Sequence, residues 1–310
     1  MAQLPLIPLS MGAKRSREGR TQAADVTEGL KAEAVGIASV TLTPLTTPAA
    51  EYLFVGEDHY SSESKEAIAA RLTTLANNGT IDLYVESPNE GEGATEGVAK
   101  LERDAKLKEL KDVGAYENAD NSLLFRLSEL APKNVEYFAP RPERVQRSIE
   151  VDPDRLANLI AVARTCMDIR WTRAVETLNA TALIAEDILG SSVRCSEDLI
   201  EEGVVDARLE SIVTRYLSTC LRELREAFSP EVKWPLTSSL TNAMRITDSE
   251  PMKAITRCVL APHVVSDAVF ATMLHRRRGV SEEANPRLVV VVSGAGHVQT
   301  IRDMLLKLAE

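Results

Sequence analysis

The chain has 310 residues, 44% of them hydrophobic and 26% charged, and a formal net charge of −10. This composition fits an ordinary globular protein with room for one large α/β domain or two smaller ones. The acidic balance argues against a nucleic-acid partner, the 4% aromatic content argues against a stacking platform, and no apolar run approaches the length of a membrane span.

Residues 1–33 read as a loose N-terminal extension, and the basic run Lys14 to Arg20 within it as a solvated tail. Residues 34–43, rich in Val, Ile and Thr, predict a strand. Pro44 and Pro48 punctuate a turn, and a second strand at 51–56 offers a hairpin partner. Ser61 or Ser62 is a candidate N-cap for an amphipathic helix with Ile68, Leu72, Leu75 and Ala76 on one face. Asn77-Asn78-Gly79 ends it, and Ile81 to Glu86 is the next strand. Strand, helix and strand in this order make the unit of a parallel sheet with a right-handed crossover.

The glycine- and glutamate-rich segment 88–97 reads as a loop. Helical pieces follow near 98–111 and 121–130, then a strand over 134–139 that runs into Pro140-Arg141-Pro142. From Asp152 the pattern becomes helical, with one long helix lasting until Gly190. Another runs from about Ser196 towards Phe228, with Gly203 as a bend, and a third region spans 251–277. A strand at 287–293 and a last helix at 298–309 close the chain. The expected fold class is α/β, a mixed and mostly parallel central sheet flanked by helices. Residues 34–151 and 281–310 form the core, and 152–280 a large helical insertion.

Two short turns carry the chemistry. Tyr52-Leu53-Phe54-Val55 leads into Gly56-Glu57-Asp58-His59, and Leu288 to Ser293 leads into Gly294-Ala295-Gly296-His297. They hold two of only four histidines, each after an apolar strand. That is the place where an open α/β sheet presents side chains to a ligand. Glu57, His59, Glu86 and His297 are therefore expected to converge on one rim. Two imidazoles with carboxylates suit a divalent transition metal such as Mn, Co or Zn, and equally a metal-free histidine base oriented by a carboxylate. Asp58 is the natural turn former. His263 and His275 lie in helical sequence, and a solvated helix end accounts for His275. Cys166, Cys195, Cys220 and Cys258 form no CxxC pair and read as small buried thiols in a reducing, intracellular and cytoplasmic setting. A dinucleotide fold is a poor competitor. Gln299 stands where a third glycine is needed, and only one helix follows Gly294-Ala295-Gly296, so no βαβ unit is completed.

The residues Val55-Gly56-Glu57-Asp58-His59-Tyr60-Ser61-Ser62-Glu63-Ser64, Glu86 and Val292-Ser293-Gly294-Ala295-Gly296-His297-Val298 resemble the TraB/Tiki group, within a superfamily that also holds erythromycin esterases and ChaN-like proteins. The resemblance covers roughly 51–90, 134–147 and 262–305 and is weak across the helical middle. It implies a cleft holding His59, His297, Glu57 and Glu86. Arg141 matches an arginine after the third core strand, with Pro140 where relatives usually carry an acid. Asp267 matches an acid or amide before the last strand, with Ser266 in place of the usual arginine. By resemblance, His59, Glu86, His297 and Asp267 are candidate metal ligands. Tiki proteins are metal-dependent proteases, erythromycin esterases are hydrolases without a metal, and a ChaN protein binds haem.

The expected function is thus hydrolysis of a peptide or ester bond in a His/Glu cleft, with or without a metal. Arg141 would hold a small-molecule or peptide substrate or stabilise an oxyanion. One alternative is a binding module for haem or a metal, with His59 as axial ligand. Another is an effector protein whose long helices bind a partner or a second copy of the chain.

Overall fold

A computed structural model describes residues 22–48, 50–58, 61–86, 122–133, 135–138, 145, 171–228, 250–279 and 287–310. Five strands form one sheet: β1 (Val40–Thr46), β2 (Glu51–Glu57), β3 (Ile81–Glu86), β4 (Val135–Phe138) and β5 (Leu288–Gly294). Their order is β1-β2-β5-β3-β4. β1 and β2 form the antiparallel hairpin that the sequence suggests, and every other pairing is parallel. The turn of that hairpin sits at Thr47 to Ala50, where the Thr47 N–H donates to the Ala50 carbonyl at 2.9 Å. Pro44 lies inside β1, not in the turn; an edge strand tolerates its missing N–H.

β5 is the centre of the sheet, and all seven of its residues are buried. A strand covered on both faces needs apolar side chains pointing both ways, which is why Leu288 to Val292 is an unbroken apolar run. Alternate residues feed separate cores. Leu53, Val55, Leu83, Val85, Val290 and Val292 face one helical layer. Tyr52, Phe54, Tyr84, Val289 and Val291 face the other.

The first layer holds α1 (Gln22–Glu33), α2 (Glu66–Asn77) and α3 (Leu123–Leu130). α1 corrects the reading of a loose extension for residues 22–33; residues 1–21 lie outside the described residues. Ala23, Val26, Thr27 and Leu30 recur at helical spacing and are buried. The Ala23 N–H donates to the Glu51 carboxylate at 2.9 Å, and the Gln22 side chain donates to the Thr80 carbonyl at 2.8 Å. The apolar stripe is narrow and its flanks are polar, so the sequence resembles a solvated segment until the sheet covers it.

The second layer is the helical insertion together with the C-terminal helix. It holds α4 (Trp171–Glu201), α5 (Glu210–Ala227), α6 (Glu250–Val259), α7 (Ala261–Gly279) and α8 (Ala295–Ala309). These helices share one continuous core with the sheet. α4 passes through Gly190 and Ser196 without a break; the helix ends near Gly203 instead. Gly203 has φ +70°, a left-handed turn that an L side chain adopts only with strain, and the Gly203 N–H donates to the Ile200 carbonyl at 2.9 Å. α8 begins at Ala295, so His297 lies in its first turn, before the expected start at 298. Cys195, Cys220 and Cys258 are buried free thiols, and burial pushes Cys220 up to about 11 and Cys258 up to about 12, which leaves both inert. Cys166 lies outside the described residues.

Candidate functional site

The two glycine turns are neighbours. β2 and β5 run parallel, and Glu57 pairs in register with Gly294. β3 lies on the far side of β5, so β2 and β3 are not adjacent as the strand–helix–strand reading suggests; β5 separates them. Gly56 permits the close approach of the last helix. A Cβ there would stand 2.8 Å from Val298 Cγ2, 2.9 Å from Thr41 Oγ1 and 3.2 Å from Ala295 Cα.

The turn after β2 is tied into the fold. Glu57 is 1% exposed, and its carboxylate accepts from Ser122 Oγ at 2.7 Å, Leu123 N at 2.7 Å and Leu124 N at 3.1 Å. These groups open α3, so Glu57 satisfies the start of that helix and opposes its dipole. Lys65 is equally buried, stands 3.2 Å from the Glu57 carboxylate and donates to the Asp58 carbonyl at 2.8 Å. A carboxylate so engaged, with its charge balanced, is poorly placed to ligate a metal or orient a histidine. Glu86 also holds backbone: its Oε2 accepts from the Gly294 N–H at 2.7 Å. His59 and Arg141 lie outside the described residues.

The turn after β5 faces titratable side chains of the helical insertion. His297 Nδ1 stands 2.7 Å from Asp267 Oδ1, and His297 Nε2 stands 3.2 Å from His263 Nδ1. His263 and Asp267 are four residues apart on α7 and so occupy one helix face. The carboxylate that orients His297 is therefore Asp267, on the helical insertion, and neither Glu57 nor Glu86. Asp267 is 6% exposed. Burial pushes its carboxyl up to about 6; the His297 hydrogen bond and charge oppose that rise, and the nearby Glu86 charge adds to it. With Asp267 ionised, the consistent proton arrangement has His297 Nδ1–H donating to it and His263 Nδ1–H donating to His297 Nε2.

His263 was missed in the sequence because a lone histidine in helical sequence usually packs or caps. The available signal is the His-x-x-x-Asp spacing, His263 to Asp267, within one helical stretch. His275 is half-buried, with Arg208 Nη2 at 3.2 Å from its Nε2. Burial first, then Arg208, lowers its pKa.

A cavity of about 360 Å³ opens at the ends of β2 and β5. Glu57, Asp58, His263, Asp267 and His297 line it, with Leu260, Val264 and Tyr216 from the insertion. The first turn of α8 lines it too, and the N–H groups of Ala295 and Gly296 have no carbonyl partner within the helix.

Among the described residues, no group of three or more His, Cys, Asp or Glu is placed to hold a metal ion. His263 and His297 supply two nearby imidazole nitrogens, with Asp267 behind one of them as a supporting carboxylate. A third ligand, which a catalytic zinc site has, is not among the described residues. No described helix is long and apolar enough to cross a membrane. Compared with known family models, curated proteins and solved structures, the chain matches none.

Proposed function

We propose that the cleft hydrolyses an ester or amide bond, with the Asp267–His297–His263 chain as its base, in a relative of the TraB/Tiki and erythromycin-esterase proteins. The observation that carries this reading is the 2.7 Å bond between His297 Nδ1 and Asp267 Oδ1, at the wall of a cavity beside a second imidazole. A buried carboxylate on one ring nitrogen fixes the tautomer and makes the opposite nitrogen more basic. His263 extends that basicity towards the cavity. The histidine pair takes a proton from water as its oxygen attacks the carbonyl carbon. Asp267 stabilises the resulting imidazolium. The Ala295 and Gly296 N–H groups, at the positive end of α8, are the donors available to the oxyanion. The imidazolium then returns its proton to the departing alcohol or amine as the carbon–oxygen or carbon–nitrogen bond breaks.

A second reading, in which a divalent cation assists, is favoured by the 3.2 Å between His263 Nδ1 and His297 Nε2. Two nitrogens bound to one tetrahedral zinc at 2.0–2.1 Å stand about 3.3 Å apart. Such an ion would be held by His263 and His297 and would make water more acidic.

The test is hydrolysis of N-acetylleucine p-nitrophenyl ester and of the matching p-nitroanilide, with and without prior chelation. The expected result is turnover by the wild type and a loss of about a hundredfold or more in kcat for both His297→Ala and His263→Gln. Turnover that His297→Ala leaves unchanged contradicts the proposal. Loss on chelation with rescue by Mn, Co or Zn selects the metal-assisted form.

A further inference from the structure

We infer, resting on the hydrolase reading above, that the substrate is uncharged or cationic around the scissile carbonyl and places one compact apolar group against Leu260, Val264 and Tyr216, while anionic counterparts are rejected. The cavity walls differ in character. On the insertion side, Leu260 is 46% exposed in the turn between α6 and α7, beside the buried Val264 and the half-exposed Tyr216. An exposed leucine at the mouth of a cavity is apolar surface that a ligand can cover.

The other side is acidic. Asp58, Glu57 and Asp267 all line the cavity, and none of its described lining residues is lysine or arginine. The buried Lys65 balances Glu57. Against the partial positive charge at the start of α8, the full charges of Asp267 and Asp58 leave the cavity with a net negative field that a low-dielectric wall strengthens. A volume of about 360 Å³ admits a group the size of a single amino-acid derivative and little more.

Four probes, with spectra recorded before any amide cleavage accumulates, separate these features: N-acetylleucinamide (neutral), leucinamide (cationic), N-acetylleucine (anionic) and N-acetylglycinamide, which lacks the apolar side chain. Binding is followed by the amide shifts of Ala295, Gly296 and His297. N-acetylleucinamide and leucinamide are expected to bind at least about tenfold more tightly than N-acetylleucine, and N-acetylglycinamide more weakly than N-acetylleucinamide. Leu260→Lys should leave the fold intact, because only the exposed side chain changes, and should shift the preference towards N-acetylleucine. Equal or tighter binding of N-acetylleucine by the wild type, indifference to the missing side chain, or no binding by any probe overturns the inference. The expected binding order without turnover of the p-nitrophenyl ester supports this binding preference and overturns only the hydrolase reading.

Discussion

The turn after β2 and the turn after β5 start from the same materials, a buried strand, a glycine and then polar residues, and they lie side by side in register. They end in different roles. Glu57 is enclosed by Ser122, Leu123, Leu124 and Lys65 and holds the helical layer on one face of the sheet. His297 reaches across to α7 on the opposite face, where it meets Asp267 and His263 at the cavity wall. The difference shows that a polar residue at a strand end in an α/β sheet is not committed to chemistry by its motif. What the second helical layer places against it decides.

That division predicts that stability follows the first turn and activity the second. The largest effect on stability is expected from Glu57→Ala, which leaves Lys65 buried without its carboxylate and α3 without its N-terminal acceptor. Urea unfolding should show a loss of about 3–5 kcal/mol. The same measurement on His297→Ala should show only about 1–2 kcal/mol, because Asp267 can take up a proton when its partner is gone. If the two values are reversed, the comparison fails.

Gly56→Ala comes next, since its Cβ would press on Val298, Thr41 and Ala295. Overpacking of this kind costs about 1–3 kcal/mol, and here it should also lower ester turnover by shifting the start of α8. Glu86→Ala removes the acceptor of the Gly294 N–H and should cost about 1–3 kcal/mol. Glu86→Gln keeps an acceptor and should recover most of the loss; failure of that rescue would mean that the charge of Glu86, and not its hydrogen bond, matters.

The smallest effect concerns acid. Arg208 hydrogen-bonds Asp206 and donates to the Leu308 carbonyl near the C-terminal end of α8. The Arg208 hydrogen bond, first among the causes, holds the Asp206 carboxyl down at about 2, below its ordinary 3.8. A depressed folded-state pKa adds stability that is complete above about pH 4 and is lost as the pH falls towards 2. Discounted for solvent around the half-exposed guanidinium, that is about 1 kcal/mol. The difference in unfolding free energy between wild type and Asp206→Asn should therefore shrink over that interval.

Much of this architecture was legible in the chain. The unbroken Val289 to Val292 run marks a strand buried on both faces, and the pair of glycine turns correctly signals that the two ends of the sequence meet. The role of Glu57 was not legible, because its partner Ser122 lies 65 residues away and no local pattern connects them. α1 was hidden for a related reason: its small apolar stripe becomes a helix face only once the sheet covers it. His263 was the costliest omission. It stands in the helical insertion, where no local motif marks it, yet α7 supplies both partners of His297.

The most direct test of the division between the two turns is the protonation of the His297 ring, read from long-range proton–nitrogen correlation of the histidine side chains at neutral pH. The account predicts a His297 proton on Nδ1 at low field, lost in Asp267→Ala, and a His297 Nε2 shift that moves in His263→Gln. A His297 ring protonated on Nε2 alone and unchanged by both substitutions would contradict it.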